Sequence, residues 1–151
     1  MSNPSGDAAD DQTGRFVAQP NGRPRPLSPH LQVWRWHVTM LASILTRITG
    51  SALYFATALI VLWLGALAFG PDAYATFVLL AGSPLGLLVW FGLTVCLMYH
   101  FAAGVRHLVW DAGAGLTPKS ANLASHLSIW FGILASVGFW IVLFATGKVS
   151  L

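Results

Sequence analysis

The chain of 151 residues contains no glutamate, and its five acidic side chains are all aspartates: Asp7, Asp10, Asp11, Asp72 and Asp111. Charged residues make up 9% of it and hydrophobic ones 56%. A soluble domain carries about a quarter charged residues, so this composition excludes an ordinary soluble globule and points to the bilayer. Cysteine is nearly absent as well. A lone Cys96 excludes an intrachain disulfide and any cluster built from this chain's own thiols. In an apolar run it reads as a small buried side chain. No apolar stretch lies near Met1, so no secretory leader is expected. The net charge of +3 is small and sits mostly in the N-terminal segment, which makes it a topology signal and not the footprint of a nucleic-acid partner.

What the chain has in quantity is long apolar runs. One covers Ile48 to Phe69, a second Leu85 to about Trp110, and a third Leu127 to Thr146. Each supplies the roughly 20 residues needed to cross a hydrocarbon core of ~30 Å. The expected fold is an all-α membrane protein of three transmembrane helices, at about 39–69, 85–111 and 124–147. "GPDAYATF" with "AGSP", and "DAGAGLTPKSAN", read as the two connections. Residues 1–23 are polar and read as a disordered tail. Pro24, Pro26 and Pro29 then impose extended or turn structure before the first helix.

Cations outside the spans set an orientation. Arg15, Arg23, Arg25 and Arg35 precede helix 1, the first connection has no Lys or Arg, and the second has Lys119. The positive-inside rule puts the N-terminus in the cytoplasm and the C-terminus outside. Trp34, Trp36 and Trp110 stand where interfacial aromatics belong.

Helix 2 ends in "YHFAAGVRHLVWDAG", residues 99–113, which places two histidines and an arginine in an apolar span. Ionisable groups in a bilayer face a bundle interior, a cavity or a cofactor. At 1.5 Å per residue His100 lies about 22 Å along its helix and well inside the hydrocarbon. Arg106 and His107 follow about two turns later, near the headgroups. His30, His37 and His126 are also expected near the cytoplasmic surface. A deep neutral imidazole fits either an interhelical hydrogen bond or axial ligation of a haem iron. Gly104, one turn below on the same face, leaves room for a flat macrocycle. His107 shares that face but stands about 10 Å further along the axis, so one straight helix cannot supply both axial ligands of one iron. Arg106 and His107 are placed either to meet haem propionates or to snorkel at the helix end. Asp111, beside Gly113, reads as part of the helix terminus.

Helix 1 opens with "TMLASILTRITGS". Ser43, Thr46, Arg47 and Gly50 follow helical spacing and share one face. Two hydroxyls and a guanidinium there suit a quinone headgroup entering from the lipid. Alternatively, Arg47 simply marks the boundary of the apolar run.

"HFAAGVRHLVWDAG" resembles the signature of the cytochrome b subunits of succinate dehydrogenase, with His100, Gly104, Arg106, His107, Trp110, Asp111 and Gly113 in its fixed positions. "RPLSPHL" (25–31) and "SILTRIT" (43–49) are similar to that family's upstream pattern, and the likeness spans about residues 24–147. One position departs from it: where the family usually carries His immediately before the Arg of helix 1, this chain has Thr46.

The resemblance implies an anchor packed in a bundle with a second membrane-anchor subunit, on which an iron–sulfur subunit and a flavoprotein subunit dock. It implies a haem b with His100 as one axial ligand and the second anchor supplying the other. It also implies a ubiquinone site that includes Ser43 and Arg47, with Thr46 beside them. A bacterial inner membrane is the expected location, ahead of a mitochondrial one. A haem-free quinone-binding anchor and a non-redox packing subunit are the competing readings.

Overall fold

The computed structural model describes residues 16–17, 25–26 and 33–149. The chain divides into two units, Met1–Trp36 and His37–Leu151. In the first, β1 (Phe16–Val17) pairs antiparallel with β2 (Arg25–Pro26), Phe16 opposite Pro26. The Trp34 and Trp36 rings meet edge to face at 5.2 Å. The tail expected to be disordered over 1–23 lies outside the described residues apart from Phe16–Val17, and His30 lies outside them too.

The second unit is all helix: α1 (Val38–Phe69), α2 (Pro71–Ala81), α3 (Pro84–Asp111) and α4 (Pro118–Ala145). Three of these, α1, α3 and α4, are long and apolar enough to cross a membrane. The protein is a multi-pass membrane protein with the three spans its composition requires.

The helix boundaries follow local chemistry, and in two places they depart from the hydropathy reading. First, "PDAYATFVLLA" is a helix of its own. Gly70 turns the chain with φ +113, Pro71 opens α2 and Asp72 sits in its first turn, where it complements the helix dipole. Eleven residues are too few to span a bilayer, so a search for spans leaves this segment as a connection. Second, α4 begins at Pro118 and not near residue 124, and ends at Ala145 and not 147. Thr117 caps it, its side chain accepting from the Ser120 N–H at 3.3 Å, with Pro at the first helical position. The opening turns are polar, so hydropathy starts counting late. Ser83 and Pro84 repeat the same device at the start of α3, with Gly86 N–H donating to Ser83 Oγ at 3.1 Å. The end of α3 closes through Gly113 at φ +78, whose N–H donates to Trp110 O at 2.8 Å. Asp111 is the last residue of α3 and is exposed.

Cross-helix pairs give the topology. Thr49 of α1 meets His100 late in α3, whereas Leu59 and Leu62 further along α1 line one cleft with Leu85 and Val89 at the start of α3, so α1 and α3 run antiparallel. Arg106, Tyr99 and Thr94 of α3 meet Ser125, Gly132 and Trp140 of α4 in reverse order, so α3 and α4 are antiparallel as well. The start of α1, the end of α3 and the start of α4 therefore share one end of the bundle.

The interior is small and polar. Ala42, Thr49, Ala103, Arg106, Ser125, Ser128, Gly132 and Ser136 are buried, with Tyr99 and Trp140 among them. Large apolar side chains point outward instead; Tyr54 and Phe55 are each 73% exposed. In water this arrangement would be inside out. In lipid, tails solvate Leu and Phe as well as a core does, and helices are held by close packing of small residues and by interhelical hydrogen bonds.

Candidate functional site

Tyr99 and His100 join α3 to α1. The Tyr99 hydroxyl donates to Ala42 O at 2.6 Å and lies 3.2 Å from Thr46 Oγ1, which itself donates to Ala42 O at 2.8 Å. The His100 Nδ1 lies 3.1 Å from Thr49 Oγ1. The ring packs across the bare backbone of Gly50, where an added Cβ would stand 3.1 Å from Cε1 and 3.7 Å from Nδ1. His100 is half-buried, and its Nε2 makes no hydrogen bond among the described residues. One turn on, Gly104 is exposed, and a Cβ there would meet nothing within 4 Å.

Arg106 faces α4. It is 6% exposed, its Nη1 donates to Ser125 Oγ at 3.2 Å, and its guanidinium carbon sits 5.0 Å from the centre of the Trp110 ring. Its Nε is buried without a partner among the described residues. Six residues on a helix turn the direction by about 240°, so Arg106 and His100 look to different sides of α3. His107 lies on the outer side, exposed and edge-on to Trp110 at 5.2 Å. His126 is exposed near the start of α4.

The four residues grouped on one face of α1 part company in the bundle. Ser43 and Arg47 are exposed, whereas Thr46 and Gly50 are half-buried against α3. The structure thus brings together Thr46, Thr49 and Gly50 with Tyr99 and His100, and leaves Ser43 and Arg47 on the outside of the same end. At the opposite end, an apolar cleft of about 340 Å³ lies between α1, α2 and the start of α3, lined by Leu59, Leu62, Phe77, Leu80, Val89 and Trp90 among others. It contains none of the candidate site residues.

This set of positions has relatives. Residues 21–142 match the family described as succinate dehydrogenase/fumarate reductase transmembrane subunit. The chain belongs to that family. It is similar to the succinate dehydrogenase cytochrome b556 subunit of Paracoccus denitrificans, 41% identical over 128 residues that cover 85% of this chain and 98% of the relative. It is also similar to the mitochondrial succinate dehydrogenase cytochrome b560 subunit of Sus scrofa, 36% identical over 137 residues, 89% and 81% of the two chains. The cytochrome b556 subunit of Rickettsia felis is 32% identical over 117 residues.

A cytochrome b name carries a haem b, and the residues of this transmembrane subunit fit one. His100 offers one ring nitrogen already engaged with Thr49 and the other without a hydrogen bond, beside an open glycine. Among the described residues no group of three or more His, Cys, Asp or Glu side chains is arranged to hold a metal. Among the described residues, His100 is the candidate axial ligand. Reading the sequence missed Thr49 and Tyr99. Tyr99 had a signal, a phenol beside a deep histidine; Thr49 was hidden by its more conspicuous neighbour Arg47.

Proposed function

We propose that this subunit anchors a succinate:quinone oxidoreductase in the membrane, holding half of a haem b site through His100 and part of a ubiquinone site through Ser43 and Arg47. The observation that carries the reading is the seat of His100: a deep imidazole fixed on one side by Thr49 and Gly50, with Nε2 left over beside the open Gly104. Bound there, haem b would supply a one-electron store within the membrane. This chain holds the ring, presents one nitrogen and keeps the space beside Gly104 clear. The other axial ligand belongs to a second anchor subunit, because His107 stands about 10 Å further along the same helix.

Ser43 and Arg47 lie exposed at the same end as His100 and offer a hydroxyl and a guanidinium to the two carbonyl oxygens of a quinone. Thr46 is engaged with Ala42 O and Tyr99, so it steadies α3 and leaves the headgroup to its neighbours. His107 is the residue for a propionate, and Arg106 braces α3 against α4. The iron–sulfur and flavoprotein subunits dock at the cytoplasmic end, the side to which the arginines preceding α1 in the sequence assign the N-terminus. The membrane is a bacterial inner membrane, in keeping with the Paracoccus relative.

The test uses the complex purified through this chain. A b-type reduced-minus-oxidised spectrum is expected in wild type and lost in His100→Ala, but kept in His107→Ala and His126→Ala. In the same preparation, Arg47→Leu is expected to cripple quinone reduction while leaving succinate oxidation by a soluble dye. A spectrum that survives His100→Ala removes the ligand assignment. Equal loss of both activities in Arg47→Leu marks an assembly defect and removes the quinone assignment.

A further inference from the structure

His100 has two ring nitrogens, and Thr49 decides which one it presents. The Thr49 hydroxyl has a single proton. Its Oγ1 lies 2.8 Å from Leu45 O and 3.2 Å from Thr46 O. Carbonyl oxygens only accept, so that proton is directed back at the α1 backbone. The same Oγ1 lies 3.1 Å from His100 Nδ1. With its proton engaged the oxygen has only lone pairs to offer, so Nδ1 carries the hydrogen and donates. A neutral imidazole has one N–H, and Nε2 therefore keeps its lone pair. The opposite tautomer would oblige Thr49 to give up Leu45 O, and would leave an Nε2–H with no acceptor among the described residues. Thr49 is itself buried, 7% exposed, so water is not a ready substitute for either partner.

We infer that Thr49 is a positioning residue: it accepts the Nδ1–H of His100, fixes the imidazole as the tautomer with a free Nε2, and with Gly50 sets the plane of the ring. This deepens the ligand assignment made above and rests on it. Ring nitrogens that ligate a metal are ordinarily oriented by a hydrogen bond from the other nitrogen, and that bond raises the basicity of the ligand. Here the acceptor is a neutral hydroxyl, weaker than a carboxylate. Removing it leaves a less basic ligand, which favours the reduced iron and raises the midpoint potential.

The experiment is a redox titration of the b-type signal in the intact purified complex, comparing wild type, Thr49→Ser, Thr49→Val and His100→Ala. Thr49→Val keeps the shape of the side chain and removes the oxygen; Thr49→Ser keeps the oxygen. Thr49→Ser is expected to titrate with wild type. Thr49→Val is expected to titrate higher, by up to about tenfold in the reduced-to-oxidised ratio at a fixed potential, which is about 59 mV for a one-electron couple. Loss of the signal in Thr49→Val alone, with Thr49→Ser at wild-type content and potential, also supports the assignment. Wild-type content and potential in Thr49→Val overturn it, as does equal loss of the signal in both Thr49 variants, which marks plain packing. If the signal is missing from wild type or survives in His100→Ala, the ligand reading itself has failed. That outcome is separate from a Thr49 failure, in which His100→Ala still abolishes the signal.

Discussion

Arg106 is a charge inside a bundle of small side chains, held by one serine hydroxyl and one indole face. A buried guanidinium with an orphaned Nε has a desolvation cost that a neutral hydrogen bond and a cation–π contact only partly offset. Replacing buried charge with an apolar chain of similar length is often neutral or stabilising. Arg106→Met is therefore expected to leave the stability of the purified complex within about 1 kcal/mol of wild type or above it, and to leave the b-type spectrum intact. Thermal denaturation in detergent with the spectrum as a second readout checks both. Loss of the spectrum from an otherwise assembled complex would put the Arg106 guanidinium on a propionate instead. At this scale the sequence was legible wherever depth alone decides. An imidazole in the middle of an apolar span has to be paired or functional, and His100 could be picked out on that ground. Thr46 stood out on the polar stripe of α1 and Thr49 did not, yet Thr49 is the one whose hydroxyl meets the imidazole. Which one reaches His100 depends on how α1 is rotated against α3.

At the scale of elements, α3 and α4 are held by a stripe of small residues on α4: Ser128, Gly132 and Ser136, four apart and all buried. At Gly132 the two backbones come close. A Cβ there would lie 2.8 Å from Tyr99 Cβ and 2.9 Å from Tyr99 Cα, so a side chain cannot be added without moving α3 itself. Gly132→Val is expected to destabilise the complex by about 1–3 kcal/mol, read as a lower denaturation midpoint in detergent. Because Tyr99 adjoins His100, a shifted or broadened b-type band is expected with it. An unchanged midpoint would mean that α3 and α4 do not pack through this stripe. The stripe is legible in hindsight as small residues every fourth position. Hydropathy does not register it, since serine and glycine differ little from the average of the span. The same blindness hid α2 and the first turns of α4, which are specified by Gly70–Pro71 and Thr117–Pro118 and not by apolar content.

Taken whole, the helical unit has a polar end and an apolar end. The antiparallel order of α1, α3 and α4 gathers Ser43, Arg47, Tyr99, His100, Arg106 and Ser125 at one end of the bundle, while α2 and the apolar cleft occupy the other. The positive-inside rule predicts that the polar end is cytoplasmic. Two exposed sites test this, Ala75 on α2 and Ala114 after α3. In a Cys96→Ser background, Ala114→Cys is expected to react with a membrane-impermeant thiol reagent only from the cytoplasmic face, and Ala75→Cys only from the opposite face. The reverse pattern would invert the topology and move His100 away from the face where the soluble subunits are proposed to dock.

The sequence by itself determined the number of spans, their order and the position of His100 along its helix. Each of these depends only on how many apolar residues stand in line and on the fixed rise of a helix. It also carried the family, through a motif whose residues are close together in the chain. The tertiary structure decided what each polar side chain faces. Rotation of α1 turned Thr49 and Gly50 to His100 and left Arg47 outside, and the approach of α4 at Gly132 enclosed Arg106 with Ser125. Those choices arise from packing between helices about fifty and about twenty residues apart in the chain, where steric fit of small side chains, and not hydropathy, selects the contact.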